Sequence, residues 1–110
     1  MTFEEIIKVP DTHPDKYLDM PEGLEGYWWE TNDQICVPVV IAKNEGDGSF
    51  SKFLRDIESK GKLIFFPTIV SAKLDAILRS RGYSDAFVID KLMGVVDGLA
   101  KPKSGFVPNP

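Results

Sequence analysis

The 110-residue chain holds one cysteine, Cys36, and one histidine, His13. A lone cysteine forms no intramolecular disulfide, and a zinc site built from cysteines is excluded. Cys36 sits in an apolar run and reads as a buried structural thiol, which fits a reducing compartment. His13, held between Thr12 and Pro14, reads as part of a surface turn rather than as a catalytic group. No run approaches the roughly 18 apolar residues of a membrane span. The opening MTFEEIIKVP is acidic and too poor in apolar residues for a signal peptide. Basic excess is missing too: 13 Lys and Arg stand against 17 Asp and Glu, for a net charge of −4. That argues against a nucleic-acid partner. The expectation is a soluble cytoplasmic protein without a membrane partner.

What is present suits one domain with a modest core, since 43% of the residues are hydrophobic. We expect that domain over residues 1–100, with an extended Pro- and Gly-rich tail over 101–110. Thr2 and Glu5 fit a helix capping box, and FEEIIKV fits a strand equally well. DTHPDKYLDMPEG has turn chemistry around Pro14 and Pro21, with room for a helical turn between them. YWWE and QICVPVVIA, separated by Thr31, Asn32 and Asp33, predict a hairpin over 27–42. Pro38 inside it demands a bulge or an edge position. Trp28 and Trp29 are adjacent and must face opposite sides of their strand, one toward a core and the other toward a pocket or subunit contact.

Phe50, Phe53, Leu54 and Ile57 form one helical face within 49–61, and Gly61 suits its end. KLIFFPTIV (62–70) reads as a buried central strand. Leu74, Ile77 and Leu78 give a second helix over 71–82, capped by Ser71 and ended by Gly82. Residues 85–100 fit a helix through Val88, Leu92, Val95, Val96 and Leu99, or two short strands. The order from 34 to 82 is strand, glycine turn, helix, strand, helix. The expected fold class is α/β (α+β): a mixed central sheet with a βαβα core flanked by helices.

The glycine turn Lys43-Asn44-Glu45-Gly46-Asp47-Gly48 leads into a helix at Ser49. Its glycines let backbone N–H groups converge, and the helix start adds further N–H groups and a partial positive charge. Such a turn is a candidate anion site. Glu45 and Asp47 oppose an anion but suit a helix start, where Asp47 or Ser49 can serve as a cap. Lys43, Lys52 and Arg55 are the nearby cations able to offset the acids.

The unit over residues 34–83 resembles the core of the GNAT superfamily of N-acetyltransferases. In that family a strand leads into Arg or Gln, two residues, Gly, one residue, and Gly or Ala, whose amides hold the pyrophosphate of coenzyme A. Here Lys43 stands at the Arg or Gln position, and Gly46 and Gly48 at the small-residue positions. Gly82-Tyr83 matches the family's Gly-aromatic pair. Counting back from it puts Ser71 at a usual Asn and Leu78 at the usual acid, Tyr. The region before residue 34 is shorter than the family's, which holds a strand and usually two helices.

The resemblance implies acetyl-CoA as cofactor, with Lys43, Asn44, Gly46, Asp47, Gly48, Ser49 and Ser71 at its site. It implies direct attack of an amine on the thioester, the carbonyl being polarised by a backbone amide of strand 34–42. Glu30 is the candidate base and Tyr83 the candidate proton donor; no metal is implied. The partner would be an amine acceptor, and exposed aromatics and the tail suit a homo-oligomer. A second reading keeps the fold without catalysis, as an interaction or structural protein whose small size and short front suit a phage or mobile-element origin. A third is an unrelated α/β binding domain.

Overall fold

The computed structural model describes residues 6–12, 16–44, 46–69 and 71–103. Thr2, Glu5 and His13 lie outside the described residues. The elements are β1 (Ile7–Val9), β2 (Leu18–Asp19), β3 (Leu24–Glu30), β4 (Gln34–Ala42), α1 (Ser49–Glu58), β5 (Leu63–Pro67), α2 (Ala72–Ser80), β6 (Ser84–Asp90) and β7 (Gly94–Lys101). All seven strands form one mixed sheet in the order β1-β6-β7-β5-β4-β3-β2. Two neighbouring pairs are parallel, β4 with β5 and β1 with β6; the others are antiparallel. The fold is α+β.

The expected hairpin forms, with β3 starting at Leu24, ahead of the predicted 27. Its turn is tied by Thr31, whose N–H donates to the Gln34 carbonyl at 2.8 Å and whose hydroxyl accepts from the Gln34 N–H at 3.2 Å. Pro38 is accommodated by a bulge. Tyr27 faces Val39 while Trp29 faces Cys36, so Trp28 opposes the pair Val37 and Pro38.

Two expectations are corrected or resolved. Between Pro14 and Pro21 the described residues include the short strand β2, not a helical turn, because Leu18 and Asp19 pair with Trp28 and Tyr27. Residues 85–100 form the β6–β7 hairpin; pairing across the sheet overrides the weak helical spacing. β7 continues through Lys101; of the expected tail over 101–110, residues 104–110 lie outside the described residues.

Strand alternation splits the core between two faces. One face carries Leu24, Ile35, Val37, Ile64, Phe66 and Leu99, and both helices pack there through Phe53, Leu54, Ile57 and Leu78. Burying each such side chain contributes roughly 1.5–3 kcal/mol. The other face carries Val9, Cys36, Phe65, Ala86 and Ala100. No helix packs there among the described residues, so the expected flanking by helices holds for one face only. β1 and β2 lie at opposite edges of the sheet. On the second face the Thr12 hydroxyl accepts from Trp29 Nε1 at 3.2 Å and Tyr17 packs edge-on against Trp29. Trp28 faces the other way, against Phe53. Burial pushes the Cys36 thiol up to about 12, which leaves it un-ionised and inert, as its apolar setting suggests.

Candidate functional site

β4 and β5 stay together only over Gln34–Cys36 and Leu63–Phe65. The bulge at Val37 and Pro38 follows at once, and beyond it β4 pairs only with β3. The second half of β4 therefore presents an open edge on the β5 side. Both helices begin at this end of the sheet, α1 at Ser49 and α2 at Ala72. Between them lies a cleft of about 510 Å³.

The apolar periodicity of each helix divides at this cleft. Phe53, Leu54, Ile57 and Leu78 are buried in the core. Phe50, Leu74 and Ile77, from the N-terminal parts of the same stripes, are half-buried and wall the cleft together with Val40 and Ala42 of β4. The polar end is built from Asn44, Gly46, Asp47, Gly48 and Ser51, joined by Ser71 and Lys73 at the start of α2. Two helix N-termini thus converge on one volume, each bringing partial positive charge.

The turn itself is well defined. Gly46 and Gly48 have φ of +82° and +85°, a conformation that disfavours other residues. The Lys43 N–H donates to the Gly23 carbonyl at 3.0 Å, which anchors the turn to the start of β3. Asp47 Oδ1 accepts the Ser49 N–H at 2.9 Å, and hydrogen bonds from the Ser49 backbone and hydroxyl hold its carboxyl below the ordinary range. Asp47 thus satisfies one N–H of the first turn of α1. The Lys52 N–H donates to the Gly48 carbonyl, as the first bond within the helix. The N–H groups of Phe50 and Ser51 meet no acceptor of the chain among the described residues.

Of the predicted cofactor residues, Asn44, Gly46, Asp47, Gly48 and Ser71 come together in the cleft. Lys43 and Ser49 do not line it, and neither do the cations Lys52 and Arg55. Glu45 lies outside the described residues. Ser71 also caps α2, its hydroxyl accepting the Leu74 N–H at 3.2 Å. Lys73 supplies the cleft's cation and was missed in the sequence. A single lysine two residues after the Ser71 cap carries no signal that marks it out in the sequence.

The two candidate catalytic residues are placed elsewhere. Glu30 pairs in register with Ile35, at the start of β4, about 20 Å along the strand from Ile41 at ~3.3 Å per residue. Its carboxylate binds Lys60 at 2.9 Å and Lys62 at 2.7 Å. Those hydrogen bonds and charges outweigh burial and hold its pKa low, so it is a committed ion-pair partner and a poor base. Tyr83 is 2% exposed and donates to Glu58 Oε2 at 3.0 Å. Burial first, and the Glu58 charge second, push its phenol far above the ordinary range. Leu78, at the position the resemblance gives to an acid, is fully buried. Among the described residues, Asp47 and Lys73 are the titratable side chains of the cleft. No group of three or more His, Cys, Asp or Glu side chains among those residues is placed to hold a metal ion. No helix there is long and apolar enough to cross a membrane.

Comparison with known proteins brings no match: no protein-family model, curated protein or solved structure is similar to this chain at a significant level.

Proposed function

We propose that this chain is a GNAT-like protein that takes an acyl-coenzyme A, acetyl-CoA in the first instance, into the cleft between α1 and α2. The observation that carries this reading is the parting of β4 from β5 at the bulge, directly over a cleft where two helices begin. The donor set fits such a ligand. The N–H groups of Phe50 and Ser51, with Lys73, suit its phosphates. The open edge of β4 suits an extended arm bearing amides, by the logic of strand addition. Val40, Ala42, Phe50 and Leu74 suit its apolar parts.

Bound there, acetyl-CoA would supply an activated acyl group for transfer to an amine. The chain's contribution is to orient and to exclude water; it brings no acid to the place where Leu78 stands. Protons would therefore be exchanged with solvent. A second reading, binding without transfer in an interaction or structural protein, is favoured by Asp47. Its carboxylate already occupies the Ser49 N–H at the helix start.

Calorimetric titration of acetyl-CoA tests the proposal. Binding is expected, and Lys73→Glu should weaken it roughly tenfold by reversing a charge beside the phosphates. Absence of binding by the wild type at millimolar ligand overturns the proposal. Thiol release with a panel of primary amines then separates the readings: release supports transfer, and binding without release supports the second.

A further inference from the structure

The helices do not cover the whole of their face of the sheet. Leu99 belongs to the helix-side core and stands opposite Asp85. By alternation Asp85, Phe87 and Ile89 share that side on β6, as do Val95 and Asp97 on β7. α2 reaches β6 through Arg79, which pairs with Asp85 at 2.8 Å. Beyond that ion pair the face is open: Ile89 is 52% exposed, Val95 64% and Met93 77%. The hairpin tip is ordered, since Asp90 Oδ1 accepts the N–H groups of Leu92 at 2.7 Å and Met93 at 2.9 Å. Leu92 beside it is 90% exposed. A contiguous apolar area of this kind, rimmed by charge, marks an interface.

The rim selects what covers it. Phe87 stands between Lys8 of β1 and Asp97 of β7, in register with both. The row runs cation, aromatic, anion, with neighbours ~4.8 Å apart. A two-fold axis through Phe87 lays Lys8 of one chain on Asp97 of the other, and does so twice. A surface that complements itself in this way is the requirement for an isologous dimer. An anionic polymer or membrane would instead meet Asp85 and Asp97.

We infer that the chain pairs with a second copy of itself through this face, with Phe87, Ile89 and Val95 at the centre and Lys8–Asp97 pairs on both flanks. The proposal is independent of the ligand cleft, which lies at the junction of β4 with the two helix starts. It is tested by sedimentation over a concentration series. The wild type is expected to dimerise. Lys8→Glu and Asp97→Lys should each raise the dimer dissociation constant about tenfold or more, through like-charge contacts made twice. An equimolar mixture of the two variants should dimerise again, because each pairing then joins opposite signs. The mixture also controls for folding, since misfolded variants would not rescue one another. A monomeric wild type at every concentration overturns the proposal. So does a dimer that neither variant weakens, or a pair of weakened variants that the mixture does not restore.

Discussion

The two ends of the β4–β5 pair are built by different means. At the end where both strands begin, charged side chains close the structure. Glu30 joins Lys60 and Lys62, and Glu58 joins Arg81 and Tyr83. At the other end β4 leaves β5, and the space is bordered by backbone N–H groups and the apolar beginnings of two helices. The residues whose chemistry looks catalytic sit at the closed end, where they are tied to structural partners. The end with room for a ligand carries few reactive groups. A ligand seated there would be held by shape and backbone, so a search for acids, bases and nucleophiles passes over such a cleft.

The largest expected effect comes from disturbing the β3–β4 pairing that holds the open edge. Gly26 has φ of +123°, and a Cβ there would stand 2.1 Å from the Val39 carbonyl oxygen across the bulged pair. Gly26→Ala should force β3 and β4 apart and cost about 3 kcal/mol or more. Chemical denaturation would measure it. A cost below about 1 kcal/mol would mean that the bulge adapts, and that the divergence of β4 is not fixed by this contact.

The closed end comes next. Glu58→Ala leaves the Arg81 guanidinium and the buried Tyr83 hydroxyl without their acceptor, which should cost about 2–3 kcal/mol. Tyr83→Phe removes one donor and leaves Glu58 paired with Arg81, so about 1 kcal/mol is expected. Neither change should alter ligand affinity in the cleft. A large loss of binding in Tyr83→Phe with stability intact would return Tyr83 to the candidate site.

The same end should govern behaviour in acid. Burial disfavours the ionised Glu58, but the hydrogen bonds from Arg81 and Tyr83 and the charges of Lys101 and Arg81 prevail and lower its pKa. Glu30 is lowered by Lys60 and Lys62. Both groups bind protons more tightly in the unfolded chain, where a glutamate titrates near ~4.3. Their contribution is therefore complete above that pH and is lost as the pH falls through their folded values. Glu30→Gln with Glu58→Gln should flatten the fall in stability below about pH 5. An unchanged acid limb in thermal melts would show that other carboxylates control it.

Much of this arrangement is legible in the sequence because it is local. Ser71 announces α2, Gly61 follows the end of α1, and the spacing of Phe50, Phe53, Leu54 and Ile57 gives a helix face. Pro38 announces a bulge. What is not legible comes from distant pairing. Glu30 meets Lys60 and Lys62 some thirty residues on, and Tyr83 meets Glu58 twenty-five residues back. No short motif records either contact, and each converts a candidate catalyst into a structural group. The same limit hid the split of the helix stripes: periodicity marks Leu74 and Leu78 alike as apolar, yet one walls a cleft and the other fills the core.

The smallest expected effect bears most directly on the open end. Asp47 places its charge on the Ser49 N–H, at the start of the helix where an anion would seat. Asparagine retains a side-chain oxygen for that N–H and removes the charge. Asp47→Asn should therefore fold as the wild type does and bind acetyl-CoA roughly three- to tenfold more tightly, with the gain shrinking as salt rises. Calorimetry at two ionic strengths reads both numbers. If the neutral variant binds no better, the Asp47 carboxylate turns away when the ligand enters, and the acid is a cap that tolerates a phosphate. If only the neutral variant binds, the native turn is closed by its own side chain, and acetyl-CoA is not the ligand of the native chain.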